Sequence, residues 1–139
     1  MQTLTETEIH KLIALAKQAQ EKAYAPYSRY HVGAALLCAD GKIYQGVNIE
    51  NVSYPAGICA ERSAFAAAVS EGQRQFRAIA IAGVMQDGGD QSRVIYPCGI
   101  CRQFMSELCD EAFTVIAADG NGGYRLFTLK ELLPYSFRF

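Results

Sequence analysis

The 139-residue sequence carries little charge of either sign and nowhere concentrates it. Asp, Glu, Lys and Arg make up 19% of the chain, and the formal net charge is -1. No run or stripe of Lys and Arg occurs, so the positive footprint that a polynucleotide's phosphates require is missing. A small substrate is therefore expected, with no nucleic-acid partner. Nor is there a membrane-spanning run. The longest apolar stretch, Ala78 to Met85 with Gly83 inside it, is far too short to cross a bilayer. Met1 to Ala23 carries Glu6, Glu8, His10 and Lys11 where a secretory segment needs an apolar core. Repeats, low-complexity tracts and linkers are absent too. These absences predict a soluble, cytoplasmic protein with one domain over residues 1–139. Half of the residues are hydrophobic. A chain of this size builds a core without disulfide staples. Its five cysteines, an odd number in a cytosolic context, point to metal binding or catalysis instead.

The hydrophobic pattern divides the chain into alternating elements. Thr5 to Ala23 reads as a helix, with Thr5 and Glu8 as a capping box and Ile9, Leu12, Ile13, Ala16 and Ala19 as its apolar stripe. Pro26 opens a loop. Val32 to Cys38 and Ile43 to Val47 read as strands joined by the hairpin signal Asp40-Gly41. A polar loop, Asn48 to Ile58, leads to an Ala-rich helix, Ala60 to Glu71, stopped by Gly72. A buried strand at Ala78 to Met85 and a short one at Val94 to Tyr96 precede a helix from Gly99 to Cys109. Strands at Ala112 to Ala117 and near Arg125 follow, then a short helix, Leu129 to Leu133, capped by Thr128 and ended by Pro134. This order implies an α/β fold: a three-layer α/β/α sandwich with a mixed central sheet.

Two segments carry the chemistry: Cys59-Ala60-Glu61-Arg62 and Pro97-Cys98-Gly99-Ile100-Cys101-Arg102. Each lies where the chain enters a predicted helix, and a helix N-terminus stabilises the thiolate that zinc requires. Cys98 and Cys101 are one helical turn apart. With Cys59 from the other helix start they supply three corners of a tetrahedron, leaving the fourth for water, as in a catalytic zinc site. A structural site would need a fourth protein ligand. His10 and His31, the two histidines, lie far in sequence from either cysteine segment. Glu61 is placed to move protons beside the metal without binding it. Three thiolates on Zn²⁺ leave a charge of about -1, so a nearby cation is needed, and Arg62 is the candidate for that outer role. Cys38 and Cys109 read as small hydrophobes.

Cys-Ala-Glu with a distant Pro-Cys-x-x-Cys resembles the signature of zinc deaminases in its all-cysteine form. Over nearly its whole length the chain resembles the small homotetrameric cytidine deaminases. The resemblance is carried by Pro26-Tyr27-Ser28, Val32-Gly33-Ala34-Ala35, Asn48-Ile49-Glu50-Asn51-Val52-Ser53-Tyr54, the two cysteine segments, and Leu132-Leu133-Pro134 with Phe137. It implies zinc, one ion per subunit, and hydrolytic deamination of cytidine and deoxycytidine in pyrimidine salvage, with hydroxide attacking C4 and Glu61 shuttling protons. It further implies that Asn48 and Glu50 bind the sugar 3′-hydroxyl, that the Ala60 backbone and Glu61 hold the pyrimidine's polar edge, and that Tyr30 lines the pocket. Tyr54 and Phe137 would reach a neighbouring subunit's site, where Phe137, or else Phe139, covers the base. The sequence departs from the family at Tyr30, where phenylalanine is commoner, and at Pro55, where glycine is frequent. A deaminase of another cytosine nucleoside such as blasticidin S is the alternative, and it would not need the Asn48 and Glu50 pair.

Overall fold

A computed structural model describes residues 3–139. Helix α1, Glu6–Gln20, opens with the expected capping box: the Thr5 hydroxyl accepts from the Glu8 N–H and the Glu8 carboxylate accepts from the Thr5 N–H, each at 3.0 Å. The helix stops at Gln20 rather than Ala23. The chain beyond it is drawn into bridge pairing, with the Tyr24 N–H donating to the Asn48 carbonyl and the Glu50 N–H to the Tyr24 carbonyl. Strands β1, Tyr30–Cys38, and β2, Ile43–Val47, form the antiparallel hairpin that Asp40-Gly41 signals. Helix α2, Ala60–Ser70, then precedes β3, Phe76–Met85, and α3, Gly99–Leu108, precedes β4, Thr114–Ala118. Strand β5, Tyr124–Thr128, and the short α4, Leu129–Leu132, complete the chain. Val94 to Tyr96 does not form the expected strand: the Ile95 N–H bonds to the Ala118 carbonyl at 3.3 Å, but no ladder develops before Pro97. Strand β4 starts at Thr114 rather than Ala112, because Asp110 turns the chain by accepting from the Ala112 N–H.

The five strands lie in the order β2-β1-β3-β4-β5, with β3 and β4 parallel and the other neighbours antiparallel. The sheet is thus mixed, as expected. Side chains alternate between its faces. Ala35, Leu37, Ala78, Ala80 and Ile116 pack with Ile9, Leu12, Ile13 and Ala16 of α1. On the opposite face Ala34, Leu36, Ile79, Ile81 and Val115 pack with Ala64 and Phe65 of α2, Met105 of α3 and Leu129 of α4. This is the three-layer sandwich. Phe65 binds the second layer together, with its ring 5.1 Å from Phe76, 6.0 Å from Phe104 and 6.1 Å from Phe113. Cys38 and Cys109 are buried in that layer, as their reading as hydrophobes requires.

Two glycines let the helices reach the sheet. A Cβ on Gly33 would collide with the Ala16 carbonyl oxygen and the Gln20 backbone nitrogen of α1. A Cβ on Gly46 would collide with the Ala60 carbonyl oxygen and the Ala64 nitrogen of α2. Backbone cannot yield as a side-chain tip can, so the first turn of α2 is clamped against β2. Gly46→Ala is expected to cost about 1–3 kcal/mol as overpacking. Gly41→Ala, in the hairpin turn at φ +95° with open space around it, should cost about 1 kcal/mol from backbone strain alone. Urea unfolding midpoints of the two variants check the order.

Candidate functional site

One end of the sheet collects the elements that matter. Val47, which ends β2, pairs with Gly33 near the start of β1, and Met85, which ends β3, pairs with Tyr30. The loops after β2 and β3 therefore leave from the same end, and α2 and α3 start there. Carboxyl ends of strands next to helix starts are the general ligand position of open α/β sheets. A cleft of about 640 Å³ opens at this end, lined among others by Tyr30, Asn48, Glu50, Tyr54, Cys59, Ala60, Glu61, Ile95 and Cys98.

Cys59 is the N-cap of α2 and Cys98 the N-cap of α3, both in extended backbone conformation and neither side chain capping its own helix. Their sulfurs are left free to face each other. The Cys59 and Cys98 sulfurs stand 3.7 Å apart, and those of Cys98 and Cys101 3.6 Å apart. Zinc–thiolate bonds of about 2.3 Å at tetrahedral angles place sulfurs about 3.8 Å apart, so the three fit one zinc ion. Among the described residues the group of His, Cys, Asp and Glu able to hold a metal is these three cysteines, all ligand atoms within 4.8 Å of one another. Neither histidine joins it, so a zinc ion held there would have three protein ligands from this group. His10 instead lies on the surface of α1, 3.3 Å from Glu6.

The electrostatics favour a thiolate at Cys59 and oppose one at Cys101, whose thiol is pushed up by its hydrogen bond to the Cys59 sulfur and by burial. Cys59 is held well below the ordinary thiol range by a hydrogen bond from Cys101 and by the Arg62 guanidinium. The Arg62 Nη2 is 3.6 Å from the Cys59 sulfur. Its buried Nε has no hydrogen-bond partner. Arg102 lies apart from the sulfurs: its Nε donates to the Pro97 carbonyl at 2.8 Å and its Nη1 to the Leu132 carbonyl at 2.7 Å, fastening α3 to α4. Glu61 is 4% exposed. Burial, with the Cys59 charge beside it, pushes its carboxyl up to about 7, the range in which a group both takes and gives protons near neutral pH.

The polar end of the cleft is built from the Asn48–Ile58 loop. Ile49 pairs with Ile58, so Asn48 and Glu50, on either side of it, share the opposite face. The Asn48 carbonyl oxygen accepts from the Val32 N–H at 2.9 Å and its amide donates to the Tyr30 carbonyl at 2.8 Å. Each of these atoms keeps one further bonding position. Glu50 accepts from the backbone N–H groups of Tyr27 and Ser28 at 3.0 Å and from the Ser28 hydroxyl. The Ser28 hydroxyl, aided by the two N–H groups, holds the carboxyl below its usual range. Ser28 Oγ also accepts from the Tyr30 N–H at 3.0 Å, so one hydroxyl fixes both Glu50 and the start of β1. Sequence reasoning did not find this role, because the contact spans 22 residues and a serine after proline and tyrosine reads locally as a loop. Tyr54 stands on the cleft rim, 76% exposed, with its ring 6.2 Å from Tyr27. Phe137 is not brought to its own chain's cleft. It is 66% exposed, its ring lies 5.4 Å from Phe139, and its carbonyl accepts from the Gln103 side chain.

Comparisons with known proteins agree with this geometry. Residues 6–117 match the family model described as the cytidine and deoxycytidylate deaminase zinc-binding region. A cytidine deaminase of Sporosarcina psychrophila is 45% identical over 130 residues, 94% of this chain and 91% of that protein. A blasticidin-S deaminase of Bacillus cereus is 36% identical over 129 residues, 90% of this chain and 91% of that protein. The crystal structure of a cytidine deaminase from Burkholderia pseudomallei superposes with a TM-score of 0.86 at 43% identity, covering 96% of this chain and 100% of that one. On the matched length, the fold and the three converging cysteines, the chain belongs to the cytidine and deoxycytidylate deaminase family.

Proposed function

We propose that this chain hydrolytically deaminates cytidine and deoxycytidine, giving uridine and deoxyuridine and releasing ammonia. The observation that carries the reading is a buried carboxyl, Glu61, beside three clustered sulfurs in a cleft that also presents Asn48 and Glu50. Cys59, Cys98 and Cys101 hold one zinc ion per subunit, and the ion when bound lowers the pKa of a water so that it serves as a nucleophile near neutral pH. Glu61 takes a proton from the attacking water and delivers it to ring N3 as the C4–O bond forms. It then takes the remaining proton from the new C4 hydroxyl and delivers it to the amine, so that ammonia leaves as the C4–N bond breaks and the C4 carbonyl forms. The Ala60 backbone, at the first turn of α2 where N–H groups lack helical partners, holds the pyrimidine's polar edge together with the Glu61 carboxyl. Asn48 and Glu50 receive the sugar 3′-hydroxyl through their remaining bonding positions.

Tyr54 and Phe137 act between subunits of a homotetramer. The support for this is that Phe137, exposed and aromatic, lies away from its own cleft, while the chain's low charge suits extensive contact between copies. The reaction belongs to pyrimidine salvage in the cytoplasm, and no helix among the described residues is long and apolar enough to cross a membrane.

Ammonia release from cytidine, deoxycytidine, cytosine and blasticidin S, alongside zinc content per chain, tests the reading. Activity is expected on the first two. Activity on blasticidin S alone rejects the substrate assignment. Glu61→Gln should retain zinc and lose about 10³–10⁴-fold in kcat, and near-normal turnover in that variant rejects the mechanism. Arg62→Ala should lower zinc affinity or kcat about 10–100-fold, as loss of a group supporting metal ligands does. Normal zinc content with an unchanged pH–rate profile removes Arg62 from this role. Solution mass should be four times that of one chain, and a fully active monomer excludes sites completed by a neighbour.

A further inference from the structure

Gly83 differs from the two glycines that seat helices on the sheet. A Cβ built on it would meet the Tyr30 hydroxyl at 2.8 Å, the Ile95 Cδ1 at 2.9 Å and the Tyr30 Cζ at 3.0 Å. All three are side-chain atoms, and both side chains line the cleft. The register explains the meeting. Gly83 pairs with Val32, and Tyr30 lies two residues along β1 on the same face. The missing side chain at Gly83 leaves a notch in β3, and the tip of the Tyr30 ring fills it.

We propose that Gly83 is a positioning residue for the substrate cleft. By accommodating the Tyr30 hydroxyl in its notch, it keeps the Tyr30 and Ile95 side chains back against β3. A methyl group at position 83 would press first on the Tyr30 and Ile95 side chains, whose atoms are the three nearest, and both side chains line the cleft. The effect should therefore appear in substrate binding, with a modest loss of melting temperature from the side-chain crowding, and not in metal retention. This assignment rests on reading the cleft as the nucleoside site.

Steady-state kinetics on cytidine, zinc content and melting temperature of the wild-type chain, Gly83→Ala, Tyr30→Phe and the double variant test it. Gly83→Ala should raise KM about tenfold with kcat changed less than about threefold, the pattern of lost binding rather than lost transition-state stabilisation. In the Tyr30→Phe background the same glycine substitution should raise KM less, about threefold, since the 2.8 Å contact is gone while those to Ile95 Cδ1 and the ring Cζ remain, and contacting residues couple non-additively. Zinc should stay at the wild-type level in all four. An unchanged KM in Gly83→Ala, an equal rise in both backgrounds, or zinc loss in Gly83→Ala overturns the proposal. A zinc-loaded wild-type chain that releases no ammonia from cytidine overturns the substrate reading instead. Melting then decides the pair: a drop in Gly83→Ala that Tyr30→Phe largely removes supports it, and equal drops in both backgrounds overturn it.

Discussion

Three sulfurs held within contact distance are the constraint around which this fold is arranged. Thiolates repel one another, and burial disfavours each of them, so holding three together takes positive potential, of which a bound zinc ion would be the largest source. The protein adds to it from two helix N-termini and one guanidinium. Cys59 and Cys98 sit at the N-caps of α2 and α3, where unpaired N–H groups and the helix dipole favour negative charge. Arg62, one turn along α2 from Cys59, directs its guanidinium at the same sulfurs. Both helix starts must then lie at one end of the sheet. The order β2-β1-β3-β4-β5 achieves this, because α2 follows β2 and α3 follows β3 while the reversed β1 lies between those two strands.

The rest of the molecule limits how far these groups can drift. Gly46 presses the first turn of α2 onto β2, and Gly33 presses α1 onto the other face of β1. Phe65, fully buried, joins α2 to α3 through Phe104 and to the sheet through Phe76. Arg102 ties the start of α3 to the end of α4. These are contacts between backbone or rigid rings, which transmit displacement with little loss in a close-packed interior. The cleft wall formed by Tyr30 and Ile95 is of another kind, since it rests on the notch at Gly83 through side-chain atoms alone. The role proposed for Gly83 thereby separates substrate fit from metal binding.

Much of the architecture was legible because its signals are local. The Thr5 and Glu8 capping box, the Asp40-Gly41 turn and the Thr128 cap each involve residues within three or four positions, and each forms as expected. Errors arose where distant backbone competes for hydrogen bonds. Helix α1 ends early because Tyr24 pairs with the segment around Ile49. Val94 to Tyr96, apolar enough for a strand, finds only the end of β4 as partner. In the cleft, Ser28 as the anchor of Glu50 and the use of the Asn48 amide by β1 could not be read from sequence, since each joins segments many residues apart.

The sequence by itself determined the three cysteines that cluster and the buried carboxyl beside them. Their chemistry depends on residue type and on spacing within one helical turn, both of which are local. Tertiary structure alone decided that Cys59 meets Cys98 and Cys101, that Asn48 and Glu50 face the same cleft, that Phe137 stands apart from it, and that the Tyr30 hydroxyl turns into β3. Those outcomes depend on strand register and on the absence of a Cβ at particular glycines, and close packing rather than local preference fixes both.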